Sequence, residues 1–150
     1  MQKKYENKIL LVDDDTKNLQ VAMNILKDYN VIYAQSGDKA LELLEKNNFD
    51  LILLDVVMPT MDGYFVCSKI KQNEKTKKIP VIFLTVKDDE KTKNIPIIFL
   101  SGKDSSSDIE QAYESGGIDY VVKPFITIEL ITKANSYVRL KQLEDKFASL

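Results

Sequence analysis

Asp13 and Asp14 follow the apolar run "ILLV", Asp55 closes "LILL", and Lys123 closes "YVV". Thr85 and Ser101 end two further apolar runs, "VIFL" and "IIFL". Carboxylates gathered at one place repel one another and need a counter-charge. A hard divalent cation answers that need, and Mg²⁺ typically keeps several waters while binding one or two carboxylates and a phosphate. A lysine adds a point positive charge suited to a phosphoryl oxygen, and a Thr or Ser hydroxyl can donate to another. An aspartate can itself be the nucleophile and form an acyl phosphate. Together these groups describe phosphoryl transfer by positioning and charge neutralisation. Any one of the acids alone reads as a helix cap or turn residue, but the joint pattern does not.

That chemistry requires a fold that brings the run ends to one rim. Ile9–Val12, Val31–Gln35, Phe49–Asp55 and Ile118–Phe125 read as strands, short and largely unbroken in apolar character as in sheets buried on both faces. Between them, Leu19, Ala22, Met23, Leu26 and Tyr29 fall at helical spacing over Thr16–Tyr29, and Asp15 or Thr16 can cap that helix. Ser36-Gly37-Asp38 opens a second helix through Leu41, Leu44 and Glu45, and "VVMPTMDG" is a loop before a third through Phe65, Val66 and Ile70. A further helix is expected over 106–115, stopped by Gly116-Gly117, and a long amphipathic one from Thr127 to about Ser149. Strands alternating with helices predict an α/β doubly wound parallel sheet, whose ligand crevice lies at the carboxyl ends of the strands.

The 150 residues are enough for one domain with its own core, and the net charge of −2 gives no reason to expect direct nucleic-acid binding. The lysines of 71–93 are interrupted by acids and read as a solvated face. A single cysteine, Cys67, excludes an internal disulfide and fits a small buried residue. Histidine is absent, which removes imidazole catalysis and imidazole metal ligands. No apolar segment approaches the roughly 20 residues that span a bilayer, and "MQKKYENK" lacks a signal-peptide core. The expectation is a cytoplasmic protein with no membrane association.

The stretches "ILLVDDD", "SGDKALELLEKNNFDLILLDVVMPTMDGYFV", "IPIIFLSGKD" and "GGIDYVVKPF" resemble the receiver domain of two-component response regulators. The resemblance covers almost the whole chain and implies a flavodoxin-like strand order 2-1-3-4-5. It implies Asp55 as phosphoacceptor, Asp14 as a direct Mg²⁺ ligand with Asp13 helping through water, and the backbone carbonyl of Val57 as another ligand. Lys123 would contact the phosphoryl group, and Tyr120 matches the family's aromatic switch position. Asp15 and Asp62 would be a cap and a turn residue. The implied partner is a histidine kinase or phosphotransfer protein, and the implied role is a signalling switch rather than an enzyme.

One feature departs from the family. Residues 74–89 and 90–105 form a tandem repeat, identical at eleven of sixteen aligned positions, so two copies compete for the fourth strand. Thr85 lies 30 residues after Asp55, and Ser101 lies 22 before Lys123, each the separation expected by resemblance. Ser101-Gly102 would leave open space beside the phosphoryl site, whereas Thr85-Val86 places a branched residue there. The second copy also leads into a helix and the Lys123 strand as one unit. The sequence therefore favours Ser101 in the fourth position, with Thr85 as the alternative and the first copy as an extra strand-like segment before or beside it. Both copies side by side would move Lys123 about 4.8 Å further from Asp55.

Other classes fit less well. "DDDT" offers the D-x-D of haloacid-dehalogenase phosphatases, but Lys17 stands where that pattern wants Thr or Val. A flavodoxin-like cofactor site would be repelled by the acidic "DDDTKN" loop. A receiver-like scaffold or dimerisation module that no longer accepts phosphate is the serious alternative. Leu140, Leu143, Phe147 and Leu150 continue a 3-4-3 spacing, making 139–150 a candidate helical linker or dimer seam. The duplicated strand is a second candidate homodimer contact.

Overall fold

The computed structural model describes residues 5–86, 119–123, 125 and 127–148. The second copy, Ser101 within it, and the helix expected over 106–115 lie outside the described residues. Five strands, β1 (Lys8–Val12), β2 (Asn30–Ala34), β3 (Leu51–Asp55), β4 (Val81–Val86) and β5 (Asp119–Lys123), form a parallel sheet in the order 2-1-3-4-5. Helices α1 (Thr16–Ile25), α2 (Gly37–Lys46), α3 (Gly63–Gln72) and α4 (Thr127–Ala148) complete the described fold.

The sheet is doubly wound because successive side chains of a strand face opposite sides. Leu10, Val12, Ile52, Leu54, Val81 and Phe83 pack with Ala40, Leu44, Val66, Cys67 and Ile70 of α2 and α3. The alternate residues Ile9, Leu11, Leu51, Leu53, Ile82 and Leu84 pack with Leu19 and Ala22 of α1 and Leu130, Ala134 and Val138 of α4. A strand covered on both faces must be apolar throughout, which is why "ILLV" and "LILL" are unbroken.

The expected α1 is too long by one turn. Leu26 caps it, and Tyr29 sits beyond the helix, stacked on Tyr5 with its hydroxyl donating to Asn135 of α4. Apolar spacing marked Tyr29 as buried correctly, but its burial comes from this long-range contact. Leu140, Leu143 and Phe147 are exposed on the last turns of α4.

The fourth-strand assignment needs correction. The first copy, not the second, lies between β3 and β5, with Asp55 paired to Leu84 and Thr85 to Val122. Among the described strands β4 pairs directly with both β3 and β5, so no strand stands between Asp55 and Lys123 other than β4. The first copy follows α3 directly, a proximity that rim chemistry ignores. Thr76 donates its hydroxyl to the Ile70 carbonyl at 2.6 Å, capping α3, and Lys75 Nζ reaches the Glu45 carbonyl at 2.6 Å. Lys71 Nζ binds the carbonyls of Lys77 and Ile79 at 3.1 and 2.5 Å. These contacts pin the short segment 73–80, so the chain passes from α3 into the sheet with a small closure cost.

Candidate functional site

β1 and β3 are adjacent and parallel, with Val12 paired to Leu54, so the residues that follow them meet at one rim. Carboxylate oxygens of Asp13, Asp14 and Asp55 all lie within 4.8 Å of one another. Asp13 and Asp55 are buried, while Asp14 is exposed. The Asp13 backbone N–H donates to the Ala34 carbonyl at 3.1 Å, and its carboxylate accepts from the Asp15 N–H at 3.0 Å. Asp55 accepts from the Val57 N–H at 3.4 Å, and the Val56 N–H donates to Leu84 at 3.1 Å. Backbone groups on both sides of each acid thus fix where its carboxylate begins.

The third acid of "DDD" has a different task. Asp15 is the N-cap of α1, accepting from the Lys17 and Asn18 N–H groups at 2.8 and 3.4 Å. Asp62 caps α3 through the Phe65 N–H at 2.9 Å. Both therefore hold helix starts, and Asp62 is a cap rather than a simple turn residue.

The loop between β3 and α3 contains features that the sequence reading passed over. Thr60 adopts a φ of 70°, and the Met61 N–H donates to the Pro59 carbonyl at 2.7 Å, a tight three-residue turn. Gly63 donates to the Val56 carbonyl at 2.8 Å. A Cβ there would stand 2.3 Å from the Asp55 carbonyl oxygen and 2.9 Å from the Val56 Cα. Only glycine lets α3 start this close to the carboxyl end of β3. The "MDG" triplet was the available signal, since it marks a loop, but the close approach depends on β3 and is not local.

Two residues assigned from the sequence lie on β5, Lys123 at its carboxyl end and Tyr120 three residues earlier. Lys123 ends that strand in register with Val86, two residues beyond the Leu84 that pairs with Asp55. Tyr120 lies in register with Phe83. Thr85, the alternative hydroxyl, stands one residue beyond Leu84, and Val57 follows β3 in the loop.

The cluster suits a hard cation. Ligand oxygens around one Mg²⁺ stand at most about 4.2 Å apart, given bonds of about 2.1 Å, so oxygens already within 4.8 Å need small closure. Taken by themselves, two like charges about 4 Å apart repel by on the order of 4 kcal/mol at an effective dielectric of about 20, a repulsion that a bound cation relieves.

The comparisons with known proteins agree with this geometry. Residues 9–95 match the response regulator receiver domain family, a span that includes β1 through β4. The response regulator PleD of Caulobacter vibrioides is 33% identical over 141 residues, 93% of this chain and 28% of PleD. The heme response regulator HssR of Staphylococcus aureus is 36% identical over 132 residues, 87% of this chain and 50% of HssR. The chain thus spans half or less of the length of these curated relatives. The solved structure of the Vibrio cholerae chemotaxis protein CheY4 superposes with a TM-score of 0.70 at 27% identity, covering 89% of this chain and 99% of CheY4. Receiver domains are signalling modules that bind Mg²⁺ through acidic residues and interact with histidine kinases or phosphotransfer proteins. The chain belongs to the response regulator receiver domain family of two-component signalling.

Proposed function

We propose that this chain accepts a phosphoryl group on Asp55 from a histidine kinase or phosphotransfer protein and switches partner contacts in response. The convergence of two buried carboxylates and one exposed one within 4.8 Å, delivered by adjacent strands, carries the reading. Asp13 and Asp14, with Asp55 and the Val57 carbonyl, would hold Mg²⁺, which supplies positive charge against the incoming phosphoryl oxygens. The Asp55 carboxylate attacks phosphorus, a new O–P bond forms, and the P–N bond of the donor phosphohistidine breaks with its electron pair returning to nitrogen. Lys123 compensates charge on the transferred group, and the hydroxyl at the end of the fourth strand donates to one of its oxygens. The pairing of Thr85 with Val122 in the fourth strand favours Thr85 over Ser101 as the source of that hydroxyl. Tyr120 is the residue through which occupancy of the site would reach a partner surface.

The proposed setting is cytoplasmic, without direct nucleic-acid or membrane binding. No helix among the described residues is long and apolar enough to cross a membrane. The exposed face of Leu140, Leu143 and Phe147 would serve as the homodimer seam or linker, and concentration-dependent sedimentation tests the dimer.

Incubation with acetyl phosphate and Mg²⁺ should give an acid-stable, base-labile phosphoprotein in wild type and none in Asp55→Ala. Labelling that persists in the variant would move the acceptor elsewhere. A second reading, a receiver-like scaffold that no longer takes phosphate, is favoured by Thr85-Val86 standing where Ser101-Gly102 would leave open space. Wild type that stays unlabelled while folded would select it.

A further inference from the structure

We propose that the fourth-strand position is contested, and that either copy of the repeat can fill it, giving the chain two strand registers within one sheet. The position is described in full through the first copy: Val81, Ile82, Phe83 and Leu84 are all completely buried between β3 and β5. Sixteen residues later the chain supplies Ile97, Ile98, Phe99 and Leu100, three of them identical and the fourth larger by one methylene. Three of the four side chains are kept, and one added methylene in a packed core typically costs about 1–3 kcal/mol, less than the burial of the whole strand supplies. Alternation is preserved too, so Ile97 and Phe99 would take the α2–α3 side and Ile98 and Leu100 the α1–α4 side.

The repeat duplicates the docking contacts as well as the strand. Glu74 pairs with Lys77 at 2.7 Å, Lys75 reaches Glu45, and Thr76 caps Ile70. Glu90, Lys91, Thr92 and Lys93 repeat that order, followed by the same Ile-Pro step. A chain that loops out 74–89 presents the same lead-in to α3.

Connection lengths do not decide strongly between the registers. With the first copy in place, 8 residues (73–80) join α3 to β4 and 32 (87–118) join β4 to β5. With the second copy, the same 40 residues divide as 24 (73–96) and 16 (103–118). Treated as flexible loops, these splits differ by about twofold in closure probability, in favour of the first copy. Each β4-to-β5 connection exceeds the dozen or so residues a parallel crossover needs.

The registers differ at the rim. The first ends in Thr85-Val86 and the second in Ser101-Gly102, so exchange would alter the wall beside Asp55. This consequence rests on the proposed phosphoryl site, whereas the exchange itself does not.

Phe83 is buried and meets Tyr64 edge-on at 4.9 Å, so an aspartate there expels the first copy from the sheet. The full-length variants Phe83→Asp, Phe99→Asp and the double variant separate the cases. Each single variant should keep the oligomeric state of wild type and melt cooperatively within about 10 °C of it, and the double should not fold. In Phe83→Asp, amide protection should move from 81–84 to 97–100. Unfolding of either single variant, folding of the double, or rescue only as a strand-exchanged dimer would overturn the proposal. None of these readouts needs phosphorylation, so failure of the phosphoacceptor reading would leave the result interpretable.

Discussion

Asp55 and Asp119 are both strand aspartates, and the molecule treats them in opposite ways. Asp119, at the amino end of β5, accepts Lys133 Nζ at 3.1 Å and the Tyr137 hydroxyl at 2.9 Å, so α4 is fastened to the sheet by complementary charge. Lys133 also pairs with Glu129 at 3.5 Å. Asp55, at the carboxyl end of β3, is gathered with two further acids, within 4.8 Å of Asp13 and Asp14. One arrangement uses a single acid to fasten a helix to the sheet, and the other concentrates three acids at one rim. The contrast is what separates a structural carboxylate from one placed to receive a cation and a phosphoryl group.

The contrast can be broken from either side. The largest effect should come from Gly63→Ala, whose new Cβ would stand 2.3 Å from the Asp55 carbonyl. Either α3 or the end of β3 must move, and chemical denaturation should show a loss of about 2–4 kcal/mol together with weakened Mg²⁺ binding. Asp119→Ala should follow. It strips Lys133 and Tyr137 of their shared partner, and because the group is only partly buried a loss of about 1–2 kcal/mol is expected, with no change in Mg²⁺ affinity.

Asp13→Asn should act on cation binding rather than on the fold. The Asn oxygen can still accept from the Asp15 N–H, so metal-free stability should change by less than about 1 kcal/mol, while stabilisation by added Mg²⁺ should be abolished. A loss of stability comparable to Asp119→Ala would mean the rim acid is structural after all.

The smallest effect is a pH dependence. Burial, and then the hydrogen bond to Asp119, push the Tyr137 phenol up to about 12 from an ordinary value of 10.0. A raised phenol favours the protonated folded state, so its contribution is complete below pH 10 and is lost as pH rises through about 12. Burial similarly raises Tyr29 to about 12, so Tyr137→Phe should lessen the alkaline loss in a pH-resolved melt without removing it.

The same two sites show how far a sequence can be read. Asp13, Asp14 and Asp55 were legible because each ends or directly follows an apolar run, and a doubly wound sheet sends such ends to one rim. The strands themselves were legible because burial on both faces leaves no polar positions to blur them. Asp119 carried no such mark, since its partners lie 14 and 18 residues away on a helix whose rotation spacing alone does not fix. Gly63 and Thr60 were visible only as loop residues, because the approach of α3 to β3 is a tertiary fact. The fourth strand was misassigned for a related reason. Chemistry at its tip pointed to Ser101, whereas the short connection from α3, residues 73–80, favours the first copy.

The most direct measurement is ¹⁹F NMR of the protein with beryllofluoride, a phosphoryl mimic, with and without Mg²⁺. Wild type should show bound-fluoride resonances that require Mg²⁺, persist in Asp119→Ala, and vanish in Asp55→Ala. Absence of bound fluoride in folded wild type, or its survival in Asp55→Ala, would contradict the claim that this rim is built for phosphoryl acceptance.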